Sequence, residues 1–199
     1  TLRDDRATPS ERSEAVSDID EETTRLNRVV TEVLDFARPI RFDLAEADLN
    51  QICRASAEAA WTGAPSAAVT FDFDPDIPSI VTDAERLRTV LVNVLANARH
   101  AILASTTTDT GTDGQTETVA ASESGVIVQS RTAAGRVIIA VRDRGAGIAA
   151  ADMPHIFDPY FTTRRAGTGL GLPIAKNIVE GLGGTLSVSS SPGEGTEIR

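Results

Sequence analysis

Three glycines alternate in the segment RRAGTGLGLPIAKN, residues 164–177. This spacing is typical of a backbone that lies close to phosphate groups. A P-loop, however, needs Gly-Lys-Ser/Thr, which is missing. A dinucleotide-binding turn needs a glycine where Leu172 stands, and a buried strand where the sequence reads FTTRRA. The segment therefore excludes both of these folds, and by itself it indicates either another phosphate site or a flexible turn that caps the next helix.

Residues 8–38 are predicted to form one long helix. Thr8-Pro9-Ser10-Glu11 resembles a capping box with proline at the first helical position, and Pro39 ends the helix. Apolar residues recur every three or four positions, which predicts a narrow seam for a partner helix. The alternative is a helix docked on its own globular domain. The seam consists of Val16, Ile19, Thr23, Leu26, Val30, Val33 and Ala37.

The rest of the chain mixes helices and strands without regular βαβ alternation. We therefore predict an α+β fold, a two-layer α/β sandwich in which a mixed sheet carries helices on one face. A polar, Thr/Ser/Gly-rich stretch at 105–125 is predicted to be a disordered insertion. The predicted helices are 48–62, 83–104, about 150–157 and about 170–182; the predicted strands are 68–74, 79–83, a hairpin around Ala134-Gly135, 184–190 and 195–199.

Composition excludes several classes of protein. The net charge of −10 argues against nucleic-acid binding by phosphate neutralisation. The single cysteine, Cys53, excludes a disulfide framework or a Cys-rich metal site, and we expect it to be a small buried residue. There is no signal-peptide pattern and no apolar run of the roughly 18–20 residues needed to span a bilayer. Because the chain begins without Met and ends within a strand pattern, we expect a fragment of a longer protein.

Two further segments place polar residues in apolar surroundings. Asp143 ends an apolar strand and precedes Gly145 and Gly147. A half-shielded carboxylate there can accept a hydrogen bond from an exocyclic amine, although an ordinary Asp-Gly turn after a strand is the commoner case in isolation. Asn93 and Asn97 share a helix face. An amide oxygen suits Mg²⁺, and hydrogen bonding between helices is the alternative.

Taken together, these segments resemble the catalytic ATP-binding domain of sensor histidine kinases, which has the Bergerat fold. The motif Asn93-x-x-x-Asn97-Ala98 is similar to the N box, and Asp143-x-Gly145-x-Gly147 to the first glycine box. The segment IFDPYFTTR at 156–164 is similar to the F box, and 167–172 to the second glycine box. GEGT at 193–196 resembles the final glycine turn.

The resemblance also implies how the chain is organised. RLNRVVTEVLDFARP looks like the end of the second helix of a dimerisation and phosphotransfer hairpin. Residues 1–40 would then be a partial hairpin, and 41–199 the catalytic domain with its insertion at 105–125. The hairpin would comprise the end of its first helix, at TLRDD, and the full second helix. The match runs over about residues 8–199, apart from the polar insertion.

The resemblance implies roles for individual residues. Asp143 would accept from the adenine amino group, with Gly147 and Thr196 around the ring. Asn97 would ligate Mg²⁺, and Asn93 would lie near the γ-phosphate. A lid at about 158–170 would bring Arg164 or Arg165 to the outer phosphates, with the Gly169–Gly171 amides cradling them. His100 stands where many relatives carry a phosphate-facing lysine. The remaining implied nucleotide contacts are Gly145, Ile148, Phe157, Thr163, Gly167, Thr168, Leu170 and Leu172.

The implied reaction is the transfer of the ATP γ-phosphoryl group to a histidine, as in a bacterial two-component phosphorelay. ATP and Mg²⁺ are the implied cofactors. Neither His100 nor His155 has the context of the family's phosphoacceptor, so we expect the acceptor upstream of this fragment and no autophosphorylation. ATPase relatives such as the type II topoisomerases carry a glutamate four residues before the metal asparagine. Here that residue is Asn93, which predicts slow ATP hydrolysis.

The implied partners are a second copy of the chain and a response regulator receiver domain. The hairpin helices would form a four-helix bundle, weakened in this fragment. No nucleic-acid partner is expected. A cytoplasmic location is implied, with any attachment to the inner membrane through parts of the parent protein outside this chain. A serine/threonine kinase or anti-sigma factor of the same fold is the alternative, which the long first helix disfavours. A non-catalytic dimeric signalling scaffold is another.

Overall fold

The chain divides into two units, Thr1–Pro39 and Ile40–Arg199. A computed structural model describes residues 8–37, 40–61, 69–107, 125–164 and 167–199. In the first unit, helix α1 spans Pro9–Ala37, within a residue of the predicted ends. About half of each of five apolar side chains on this helix is exposed: Val16, Ile19, Leu26, Val30 and Leu34. In the described ranges no helix is both long and apolar enough to cross a bilayer.

The second unit contains the other helices and all the strands of the described residues. Its elements lie close to the predicted ranges, with three differences. A three-residue strand at its start was not predicted, the predicted helix near 150–157 is a single 3-10 turn at Met153–His155, and the strand predicted at 184–190 begins only at Val188. The elements are β1 (Ala45–Ala47), α2 (Leu49–Trp61), β2 (Val69–Phe73), β3 (Ile80–Thr82), α3 (Ala84–Thr107), β4 (Val126–Ala133), β5 (Arg136–Asp143), α4 (Gly171–Gly181), β6 (Val188–Ser191) and β7 (Gly195–Ile198).

The predicted insertion begins too early at 105, because helix α3 continues to Thr107. The hydroxyl of Ser105 donates to the Ile102 carbonyl at 2.7 Å, one turn back along the helix. This local bond lets a polar residue continue the helical backbone. Residues 108–124 of the predicted insertion lie outside the described residues.

Two aspartates cap the helices α2 and α3. Asp48 Oδ1 accepts from the Gln51 N–H at 3.1 Å, and Asp83 Oδ1 accepts from the Arg86 N–H at 2.9 Å. Asp83 Oδ2 also accepts from the backbone N–H of Asp43 at 2.9 Å. Burial acts to raise the pKa of Asp83, but the backbone N–H donors of Arg86 and Asp43, together with the Arg86 charge, outweigh it and lower the pKa. The start of α3 is therefore fixed by hydrogen bonds that the sequence TDAER encodes locally.

The main sheet has five strands in the order β2-β4-β5-β7-β6. β2 pairs parallel with β4, and the other neighbours are antiparallel. The predicted hairpin joins β4 and β5 through Ala134 and Gly135, whose φ angles are 49° and 73°. Two positive φ angles are typical of the type I′ turn that matches strand twist. β1 and β3 form a separate antiparallel pair.

Helix α3 lies between α2 and α4 and packs on β4, β5 and β7. The side chains between these layers have no exposed surface; they include Leu95, Val126, Val128, Leu170 and Ala175. Cys53 is also fully buried, and this burial, with the nearby Asp48 charge, raises the pKa of its thiol to about 12. Exposed ion pairs such as Arg131–Asp72 join neighbouring strands of the sheet. The predicted α+β class, a mixed sheet with helices, is confirmed.

Candidate functional site

Asp143 is a buried carboxylate at the end of β5, only 5% exposed. It accepts from the Gly145 N–H at 2.8 Å and also from the backbone N–H of Thr196 on the neighbouring strand β7. Burial raises the pKa of Asp143, although the two N–H donors oppose part of that rise. Because a carboxylate offers about four acceptor positions, capacity remains for a donor from a ligand.

The turn after Asp143 lies directly against helix α3. A Cβ on Gly145 would come within 2.5 Å of Ala101 on α3, so the backbones can approach this closely only with glycine there. The Ala146 N–H donates to the Ala101 carbonyl at 3.1 Å. The close approach therefore fixes the turn to the helix that carries both asparagines.

The same turn is held on its other side by the β6–β7 hairpin. Gly147 has φ +69°, and a Cβ there would overlap the Ser191 carbonyl oxygen. The Ala146 carbonyl accepts from the Gly193 N–H at 2.8 Å, and the Ile148 N–H donates to Ser190 Oγ at 2.9 Å. The glycines of this motif therefore allow the turn to pack closely against both neighbours, and hydrogen bonds hold it in place beside Asp143.

The two asparagines on α3 contact the segment at the other end of the site. Asn93 Oδ1 lies 3.5 Å from where a Cβ on Gly171 would stand, at the first residue of α4. Asn97 Oδ1 accepts from the Arg164 guanidinium at 3.4 Å. His100 follows on the same helix and is half-buried. Residues far apart in sequence thus bring an amide oxygen and a lid arginine together.

The second glycine segment forms the base of the predicted lid. Gly169 has φ +70°, and its carbonyl accepts from the Tyr160 N–H at 3.1 Å. The Gly167 N–H donates to the Arg164 carbonyl at 3.1 Å, and the neighbouring Thr163 is exposed. Arg165, the second predicted phosphate contact, lies outside the described residues.

Several predicted contacts have other surroundings in the structure. The Lys176 ammonium lies 5.0 Å from the centre of the Phe157 ring, so this ring is one side of a cation–π contact with α4. Leu170 has no exposed surface and belongs to the core. The Leu170 N–H donates to Thr168 Oγ1 at 3.4 Å, and Leu172 is half-buried at the start of α4.

Two residues of this region were missed by sequence analysis. Ser190 bonds to the glycine turn and to Thr196, but one of three consecutive serines carries no distinguishing mark in the sequence. Tyr160 adopts φ +68°, a left-handed conformation unusual for a residue other than glycine. Tyr160 bonds to Gly169, which is also left-handed, and only the folded backbone reveals this contact between residues nine positions apart.

Comparison with known proteins agrees with this geometry. Residues 82–199 match the family model described as histidine kinase-, DNA gyrase B- and HSP90-like ATPase. The sensor histidine kinase ZraS of Klebsiella oxytoca is 40% identical over 176 residues, which are 87% of this chain and 34% of that protein. The chain therefore spans about a third of the length of this curated relative.

Two solved structures have the same fold. Full-length ShkA in complex with AMPPNP is 28% identical, with a TM-score of 0.74 over 99% of this chain and 39% of that one. The histidine kinase ThkA, in complex with the response regulator protein TrrA, is 22% identical, with a TM-score of 0.70 over 96% of this chain and 51% of that one.

The chain belongs to the family of histidine kinase-, DNA gyrase B- and HSP90-like ATPases, because the family model covers more than half of its length. Within that family it resembles the catalytic region of sensor histidine kinases, as the sequence motifs predict. The Bergerat fold expected from those motifs is likewise confirmed.

Gly147→Ala should destabilise the second unit by about 3 kcal/mol or more, since a left-handed alanine is strained and its Cβ also overlaps Ser191. Gly135→Ala is the matched control. Gly135 has nearly the same φ of +73° but open space around a Cβ, so its cost should be about 1 kcal/mol. Urea unfolding of both variants measures the difference. Equal costs would contradict the packing role of Gly147.

Asp143→Asn should remove a pH dependence of folding. Because burial raises the pKa of Asp143, the native state binds this proton more tightly than the unfolded chain. Its contribution to the free energy of unfolding is therefore largest below the unfolded pKa and falls as pH rises through the raised native value. Asparagine stays uncharged, so the variant should be at least as stable as the unmutated protein at pH 7.

Thermal unfolding between pH 3 and 8 measures this difference. Asp76→Asn, at an exposed position of the same unit, is the control and should change little. An Asp143→Asn variant that is clearly less stable than the unmutated protein at pH 7 would show that the carboxylate stabilises the fold.

Proposed function

We propose that this chain binds ATP with Mg²⁺ and acts as the catalytic region of a sensor histidine kinase. It would transfer the γ-phosphoryl group to a histidine that the chain does not contain. The observation that carries the proposal is the contact between Asn97 on α3 and Arg164 in the lid segment. The contact brings together the Asn97 amide oxygen, a suitable ligand for Mg²⁺, and the Arg164 guanidinium, a cation, one helix turn from Asn93. Nucleotide phosphates bind to both kinds of group, the metal ion and the cation.

The base of the nucleotide would lie at the other end of the site. The buried Asp143 carboxylate can accept from the exocyclic amine of adenine, while Thr196 stands beside it on β7. The rigid glycine turn would form one wall, since it is fixed both to α3 and to the β6–β7 hairpin. ShkA, a relative of the same fold, is known in complex with the ATP analogue AMPPNP.

The phosphates would lie between α3 and the start of α4. Asn97 would contribute its amide oxygen to Mg²⁺, Arg164 would pair with a phosphate, and the first amides of α4 at Gly171 would donate to another. Within the described ranges no three His, Cys, Asp or Glu side chains cluster to hold a metal by themselves. A metal at this site would be held jointly with the phosphates, where it would neutralise charge on the transferred group.

Asn93 favours phosphoryl transfer over hydrolysis. Its side chain is an amide against the first residue of α4 and cannot take a proton from water as a carboxylate would. The chain has two histidines, neither in a phosphoacceptor motif, so it should not phosphorylate itself.

We also propose two protein partners. The apolar side chains left exposed along α1 would pack against the hairpin helices of a second copy. A response regulator would receive the phosphoryl group from the phosphorylated histidine, by analogy with ThkA, which is known in complex with the response regulator TrrA.

Asn97→Ala should weaken the binding of ATP measured with Mg²⁺ by about tenfold or more, because the amide oxygen that would ligate the metal ion is lost. Asp143→Ala should weaken binding both with and without Mg²⁺. Isothermal titration calorimetry on the 199-residue chain measures these affinities. Asn177→Ala, an exposed asparagine on α4, is the matched control and should bind as the unmutated chain does. If both site variants bind normally, the site assignment is wrong; if the unmutated chain does not bind ATP, a non-catalytic scaffold is favoured.

Hydrolysis by this chain should be slow, and Asn93→Glu should speed it by about tenfold or more by supplying a general base. Asn93→Gln, which keeps the amide, should remain slow. Release of phosphate from γ-labelled ATP measures both rates, and the same assay shows whether label stays on the protein. Label on the unmutated chain would show that it contains a phosphoacceptor. Fast turnover by it would show that Asn93 does not keep hydrolysis slow.

A further inference from the structure

Asp143, Thr196 and Ser190 form a row across three neighbouring strands. Asp143 on β5 is the register partner of Thr196 on β7, which in turn is the partner of Ser190 on β6. Register partners project their side chains to the same face of a sheet. Ser190 Oγ lies 2.9 Å from Thr196 Oγ1, and Thr196 is only 8% exposed. Asp143 and the Thr196 hydroxyl therefore lie on adjacent strands at the same face of the sheet.

The three hydrogen-bond partners of the Ser190 hydroxyl determine where its proton and the Thr196 proton point. A serine hydroxyl has one proton and can accept two hydrogen bonds. The Ile148 N–H occupies one acceptor position at 2.9 Å. The Gly195 carbonyl oxygen, 2.8 Å away, can only accept, so the serine proton points to it. The remaining position of Ser190 is an acceptor, and the Thr196 hydroxyl must donate its proton there.

This arrangement leaves Thr196 Oγ1 with lone pairs only. The Asp143 carboxylate beside it is also an acceptor at neutral pH, so the row presents two acceptors. A base with an exocyclic amine can donate to such a pair. A keto oxygen in the same place would face lone pairs and a negative charge, and the resulting repulsion would reject it.

We propose that Ser190 is a positioning residue that makes the site selective for a 6-amino purine over a 6-keto purine. It acts through Thr196, whose proton it holds away from the ligand, and it contacts the glycine turn through Ile148. The inference rests on the proposed function, because it specifies which nucleotide base that site selects.

The test compares binding of ATP and inosine triphosphate, which replaces the 6-amino group with a keto oxygen, to the 199-residue chain with Mg²⁺. The unmutated chain should prefer ATP. Ser190→Ala frees the Thr196 hydroxyl to donate to a keto oxygen, so the ratio of the two affinities should fall about threefold to tenfold. Ser190→Cys, a residue of similar size and weak hydrogen-bonding power, should lower the ratio in the same direction and guards against a variant that fails to fold.

Ser189→Ala is the matched control, since Ser189 is exposed on the same strand and should leave the ratio unchanged. In a Thr196→Val background, Ser190→Ala should change the ratio no further, because its target hydroxyl is gone. A ratio unchanged by Ser190→Ala and Ser190→Cys in chains that bind ATP would overturn the role of Ser190 alone. Failure of the unmutated chain to bind either nucleotide would overturn the proposed function together with it.

Discussion

The second unit depends on how closely the turn after Asp143 approaches its neighbours. Gly145 lies against Ala101 of α3, and Gly147 lies against Ser191 of the β6–β7 hairpin, each at a distance that no side chain would permit. The backbone bonds of Ala146 to both sides fix the turn between the helical layer and the sheet. Because α3 also carries Asn93 and Asn97, this contact sets the separation between the two ends of the site.

The two ends use opposite electrostatics. At one end of the candidate site the Asp143 carboxylate is buried, and desolvation raises its pKa. At the other end, Arg164 brings a guanidinium to the Asn97 amide oxygen in a chain whose net charge is −10. Under the proposed function, this cation and a bound Mg²⁺ would offset the repulsion between nucleotide phosphates and an acidic protein. Under the proposed function, the neutral Asn93 would suit transfer of the phosphoryl group to a protein acceptor, because an amide does not activate water as a carboxylate does.

Much of this could be predicted from local patterns. TDAER begins a helix because an aspartate side chain caps its own backbone, and Ala134-Gly135 turns the β4–β5 hairpin because the required left-handed angles suit glycine. The asparagine pair and the glycine turn were found for the same reason, since spacing and residue type carry the signal. Ser190 was missed, and the packing of Phe157 and Leu170 was not foreseen, because these features depend on what lies opposite each residue: Thr196, Lys176 and the core under α4.

The sequence by itself determined the fold class, the order of the motifs and the identity of the groups that could hold a nucleotide. The fold class follows from periodicity and turn chemistry, which are local properties, whereas the nucleotide-binding roles of these groups are implied by the resemblance to sensor histidine kinases. Only the tertiary structure decided which of these groups meet. Asn97 and Arg164 are 67 residues apart, and Asp143, Thr196 and Ser190 come together through strand register. A one-residue shift in that register would turn each of these side chains to the other face of the sheet, which is why packing and not the pattern alone fixes the site.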